Sequence, residues 1–114
     1  PPFSTGTHGN TKKMQWGFAG ADLVLSGHDH IYERYTELNG SFPVYIVNGL
    51  GGQNKRNCNE NSFDRDRFEH FCYDGQYGAM FIEATALEMV VKFISIDNKM
   101  VDSLVLQPKA FLLN

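Results

Sequence analysis

The stretch LSGHDHIYER, residues 25 to 34, sets His28 and His30 on either side of Asp29, directly after the aliphatic run 23 to 25. The chain has four histidines, and two of them stand here. Imidazole nitrogens are ligands for zinc, iron and manganese. If the backbone stays extended through His30, residues i and i+2 point to one side with β-carbons about 6 to 7 Å apart. Both rings then face one place, and Asp29 faces the other way. In open α/β sheets ligands gather at the carboxyl ends of strands, and Gly27 lets the chain turn there without steric cost. Such a pair can reach one ion, or two ions about 3.5 to 4 Å apart as in two-metal hydrolytic sites. Two imidazoles do not complete a shell of four to six ligands. No HExxH supplies the rest. The competing reading is a pair of polar residues solvated in a surface loop. Glu33 and Arg34 offer a carboxylate and a guanidinium that can orient the imidazoles from behind, or that pair with each other at the surface.

The elements that must position this pair read as follows. Residues 1 to 10 are dense in Pro, Gly, Ser and Thr and predict a loop. Residues 11 to 19 carry Met14, Trp16 and Phe18 among Lys and Gln, which predicts a short helix with an apolar side. Residues 23 to 25 predict a strand buried on both faces, so that helix and strand form half of a crossover unit. Residues 31 to 38 are mixed, and Asn39-Gly40 is a turn signal leading to a strand over residues 42 to 47. Asn39-Gly40-Ser41 is also a glycosylation sequon, although the turn alone accounts for these residues.

Residues 48 to 78 predict a long irregular segment holding Phe63, Phe68, Phe71, Tyr73 and Tyr77. At its start, Asn48 can line a site, and the run Gly49-Leu50-Gly51-Gly52 reads as a turn because it lacks the GxxxxGK[ST] spacing of a phosphate loop. Arg56, Arg65 and Arg67 are interleaved with Glu60, Asp64, Asp66 and Glu69, the pattern of a solvated, charge-balanced loop. Residues 79 to 85, 88 to 96 and 100 to 107 alternate or run apolar at strand length and predict three antiparallel strands joined by hairpins.

Bulk properties set the outer limits. The 114 residues suit one modest domain, and a 42% hydrophobic content can form a core. A net charge of −3, from 10 basic and 13 acidic residues, gives no basic footprint for nucleic acid. No apolar run approaches the roughly 20 residues of a bilayer-spanning helix. Cys58 and Cys72 lack the close CxxC spacing of structural zinc sites, which leaves a disulfide or two separate thiols. The opening PPFSTGTHGN reads as the inside of a loop, so the chain is expected to be the C-terminal portion of a longer protein.

The block GADLVLSGHDHIYERY resembles the last metal-ligand block of calcineurin-like metallophosphoesterases, and its Tyr-Glu-Arg continuation resembles the purple acid phosphatase branch. PPFSTGTHG is similar to the loop after the family's penultimate metal-binding histidine. PVYIVNGLGG is similar to the strand and glycine turn after the last block, and YGAMFIEAT with VDSL to the closing strands. The resemblance implies an α/β (α+β) fold in which residues 1 to 114 are the C-terminal part of a single catalytic domain. That domain would be a β-sandwich flanked by helices and ending in antiparallel strands. It further implies a dinuclear centre of iron with zinc, manganese or iron, hydrolysing small phosphate esters with metal-bound hydroxide as the nucleophile. By position, His28 would bind the divalent ion and His30 the ion that is ferric in purple phosphatases. His8 would lie near the substrate and protonate the leaving alcohol. The family's aspartate blocks, ligand tyrosine and Asn-His block are not in these residues, so the missing N-terminal half would supply them, and the fragment alone is expected to be inactive. A secreted or extracytoplasmic location is expected from the resemblance, the two cysteines and the sequon. The alternative is a non-catalytic, β-rich binding or structural module with an incomplete metal site.

Overall fold

The computed structural model describes residues 1–6, 20–41, 43–59 and 63–108. The expected helix over residues 11 to 19 and the candidate acid His8 lie outside the described residues. Among the described residues there are seven strands and no helix: β1 (Leu23–Ser26), β2 (Tyr32–Glu37), β3 (Val44–Asn48), β4 (Phe68–Tyr73), β5 (Gly78–Ala84), β6 (Met89–Ser95) and β7 (Met100–Leu106). The α/β expectation is therefore corrected to a β-rich class, with one sheet in the order β1-β3-β2-β4 and another in the order β5-β6-β7. The strands fall into two compact units, Pro1–Gly75 and Gln76–Asn114.

In the first unit no described helix makes the parallel pairing. The chain leaves β1, passes over to β2, and returns through a hairpin as β3, which is antiparallel to β2 and parallel to β1. Asn39-Gly40 forms that return as expected. Gly40 has φ 74° and donates its N–H to Glu37 O, and the Asn39 side chain accepts from Ser41 N at 2.9 Å. Among the described residues β1 is an edge strand with Leu25 half-exposed, where a strand buried on both faces was expected. The segment expected to be wholly irregular contains β4, which pairs with β2 along its full length.

The period of two along β2 and its partners puts Tyr35, Tyr45, Val24 and Phe68 on one face. Phe3 of the N-terminal segment packs onto them. Its ring meets Tyr45 at 4.6 Å and Phe68 at 4.7 Å, both edge-on, the arrangement aromatic quadrupoles favour. Arg67 caps this cluster, with its guanidinium 5.0 Å from the Phe3 ring and 4.6 Å from Phe68, and it holds Glu37 through two nitrogens at 2.7 and 2.9 Å. Arg67 is thus tied to strand β2, in contrast to the solvated loop expected for it.

Glu33 lies on the same face, fully buried. Its carboxylate accepts from Ser4 Oγ at 3.0 Å, from Thr5 N, from the Thr5 hydroxyl, from Tyr35 OH at 3.3 Å, and pairs with His70 Nε2 at 2.9 Å. Burial by itself would raise its pKa, but the bonds from His70, Thr5 and Ser4 together outweigh it, and the pKa lies below the ordinary glutamate value. Tyr35 is pushed above the ordinary tyrosine value by burial and by the Glu33 charge, so its hydroxyl remains a donor.

In the second unit, β6 alternates outward residues with the buried Val91, Phe93 and Ser95. The turns at residues 85 to 87 and 97 to 99 close as expected, with Thr85 N on Glu88 O, Ser95 N on Lys99 O, and Asn98 at φ 62°. All three closing strands expected from the sequence are present.

Because the folded-state pKa of Glu33 is depressed, its contribution is complete above the ordinary glutamate pKa and is lost as pH falls through the lower folded value. Glu33→Gln, which leaves the surrounding donors imperfectly matched, is expected to lower the unfolding free energy by about 1 to 3 kcal/mol near neutral pH. Urea titrations across the acid range should show the two proteins converging as pH falls; parallel curves would remove Glu33 from the acid dependence.

Candidate metal centre

β1 stops at Ser26, and the chain does not stay extended through the histidines as expected. Asp29 N donates to Gly27 O at 3.0 Å and Ile31 N to Asp29 O at 2.9 Å, two successive tight turns. The left-handed residue is His28, at φ 77°, and not Gly27. A non-glycine residue in this region costs on the order of 1 kcal/mol and persists where its surroundings over-determine it.

Those surroundings are mostly backbone. Gly49 N donates to Ile31 O at 2.9 Å, and a β-carbon on Gly49 would lie 1.8 Å from Asp29 O, so only glycine allows the two backbones to approach this closely. Further along, Arg56 N donates to His30 O at 3.0 Å. The His30 ring lies 2.7 Å from Asn54 O through Nδ1. A carbonyl can only accept, so Nδ1 is the donor, and in the neutral ring Nε2 is the nitrogen with the lone pair. This is the orientation that metal-binding histidines take from an outer hydrogen bond.

His28 and His30 line one cavity of about 410 Å³ with Gly49, Gly51, Gly52 and Gln53. The pair is thus brought together by a double turn braced by the glycine segment. Asp29 does face away from the cavity. It is buried, Gly6 lies so close that a β-carbon there would sit 2.4 Å from Asp29 Cγ, and its Oδ2 has no hydrogen-bond partner among the described residues. Asn48 is not among the lining residues; the wall begins one position later, at Gly49.

The expected support from Glu33 and Arg34 takes a different form. Among the described residues the hydrogen bonds of the Glu33 carboxylate go to Ser4, Thr5, Tyr35 and His70. The Arg34 guanidinium donates to Thr36 Oγ1 and lies 5.7 Å from the Phe71 ring. Cys58 and Cys72 form a disulfide, with Cα atoms 6.0 Å apart, which ties the far end of the glycine segment to β4. Cys58 N also donates to Asp74 Oδ2 at 2.8 Å.

One grouping was not expected from the sequence: donor atoms of Glu33, His70 and Cys72 lie within 4.8 Å of one another. It is a poor metal site as it stands, because the Cys72 sulfur is held in the disulfide and Glu33 and His70 are bonded to each other. The signal for it was the alternation in FEHFCY, which puts Phe68, His70 and Cys72 on one face of β4.

The donor chemistry at the cavity suits zinc or iron: two imidazoles, and no carboxylate among the described lining residues to favour calcium, magnesium or manganese. Gly49→Ala is expected to separate the glycine segment from the histidine turn, lowering stability by about 2 kcal/mol or more and weakening zinc binding. Calorimetric zinc titration of the wild type and variant checks this, and equal affinities would show that the close approach does not shape the site.

No protein-family model matches the chain, and no curated protein matches it. The geometry of its own residues therefore carries the functional reading.

Proposed function

We propose that the chain contributes part of a dinuclear metal centre that hydrolyses phosphate esters, of the calcineurin-like and purple acid phosphatase type. The observation that carries the reading is the convergence of His28 and His30 on one cavity, with His30 Nδ1 committed to the Asn54 carbonyl. In this proposal imidazole nitrogens of His28 and His30 hold the cations, and the remaining ligands come from an N-terminal half of the same domain. Such a pair of cations, when bound, supplies activation of water and neutralisation of phosphoryl charge.

The work left to these residues is to hold that cavity open and to manage protons. Gly49, Gly51 and Gly52 keep side chains out of the space where a phosphoryl group would sit. His8 donates a proton to the departing alkoxide oxygen. The disulfide and the exposed Asn39 of the sequon support a secreted or extracytoplasmic location. Among the described residues no helix is long and apolar enough to cross a membrane. The second reading, a β-rich binding or structural module, is favoured by one observation: no carboxylate ligand lines the cavity among the described residues.

His28→Ala and His30→Ala in the full-length protein are expected to reduce bound metal and to lower aryl phosphate turnover at least about a hundredfold, the usual consequence of opening a metal site. Unchanged metal content and turnover would leave the binding-module reading standing. For His8→Ala, kcat should fall about 10²- to 10⁴-fold with metal content unchanged, most steeply for esters with poor leaving groups. Loss of metal in that variant would make His8 a ligand and end its role as the acid.

A further inference from the structure

We propose that Arg56 is a specificity-determining residue that binds a second phosphoryl group beside the one to be cleaved, so that the favoured substrates carry two phosphoryl groups. This rests on the phosphatase reading above and deepens it. A second cavity, of about 320 Å³, adjoins the first and shares His30 and Gln53 with it; its other lining residues are Asn54, Lys55 and Arg56. No carboxylate lines either cavity among the described residues. An anion seated beside His30 therefore meets only cationic and neutral described groups on this side.

The segment that carries Arg56 is fixed at both ends. Toward the histidines, Arg56 N is bonded to His30 O and Asn54 O to His30 Nδ1, so the base of the arginine and the imidazole move as one piece. On the far side the Cys58–Cys72 disulfide and the bond from Cys58 N to Asp74 hold the chain. Lys55 is held at the wall, its Nζ donating to Gly75 O at 2.5 Å. Such a segment loses little freedom when an anion binds.

The arginines differ in what they already do. Arg67 is committed to Glu37, Arg34 to Thr36, and Arg65 lies over the Phe63 ring at 4.8 Å. The Arg56 guanidinium has no side-chain hydrogen bond or ion pair among the described residues, and it lines the cavity next to His30. A guanidinium in that position offers paired N–H donors that match phosphate oxygens two at a time. The shared chemistry is a second phosphoryl group, linked either through an anhydride or through a neighbouring ester.

Calorimetry on the zinc-loaded full-length protein, with inorganic phosphate, inorganic pyrophosphate and 2,3-bisphosphoglycerate as the probes, tests the assignment. The wild type is expected to bind at least one of the two-phosphoryl probes about tenfold or more tightly than phosphate, the scale of one charge-assisted pair. The probe that is preferred tells the anhydride from the ester. Arg56→Ala should erase the preference and leave phosphate affinity unchanged, while Arg56→Lys should keep part of it. A preference unaltered by Arg56→Ala, or no preference in the wild type, overturns the proposal. Phosphate binding that survives removal of zinc by a chelator counts against the phosphatase reading instead, and the comparison between wild type and Arg56→Ala still decides the role of the arginine.

Discussion

A buried carboxylate organises the first unit. Ionised and unpaired, Glu33 would be too costly to bury; the fold accommodates it only because donors converge on it from three separate pieces of chain. Ser4 and Thr5 come from the N-terminal segment, Tyr35 from β2 itself, and His70 from β4. Satisfying one charge therefore fixes where the N-terminal segment lies and how β4 registers on β2. It also delivers Gly6 onto Asp29, so the floor beneath the histidine turn is set by a residue on the strand that leaves it.

Around the histidines the ordering groups are peptide units. The carbonyl of Asn54, the amides of Gly49 and Arg56, and the absence of a β-carbon at Gly49 do the positioning. Peptide groups belong to every residue type, so the side chains at Gln53, Asn54, Lys55 and Arg56 are left to shape what meets a ligand.

How much of this was legible in the sequence depended on whether side-chain polarity matched burial. The closing strands alternate apolar and polar residues, and the Asn39-Gly40 turn has a local chemical signature, so both were readable. β2 was not: its inward face carries Glu33, Tyr35 and Glu37, and a glutamate that turns inward looks in sequence like one that faces water. β4 was hidden for the same reason, behind a loop dense in charge. The pairing of Glu33 with His70 joins residues far apart in the chain, which no local pattern reports. The candidate histidines were found from their types and spacing, and they do share a cavity, but for a different reason from the one the spacing suggested. An i, i+2 argument assumed extended backbone, whereas the left-handed conformation falls on His28 because the Gly49 segment presses the following peptide into place.

The sheet order has a kinetic corollary. β2 and β3 are neighbours joined by a short turn, so they can zip early, at low cost in chain entropy. β1 can find its parallel partner only once β3 exists, and the histidine turn spans the gap between β1 and that hairpin. The cavity is therefore complete only once β1, at the edge of the described sheet, has docked on β3. A nascent chain caught before that step would have its aromatic cluster begun but no cavity yet beside the histidines.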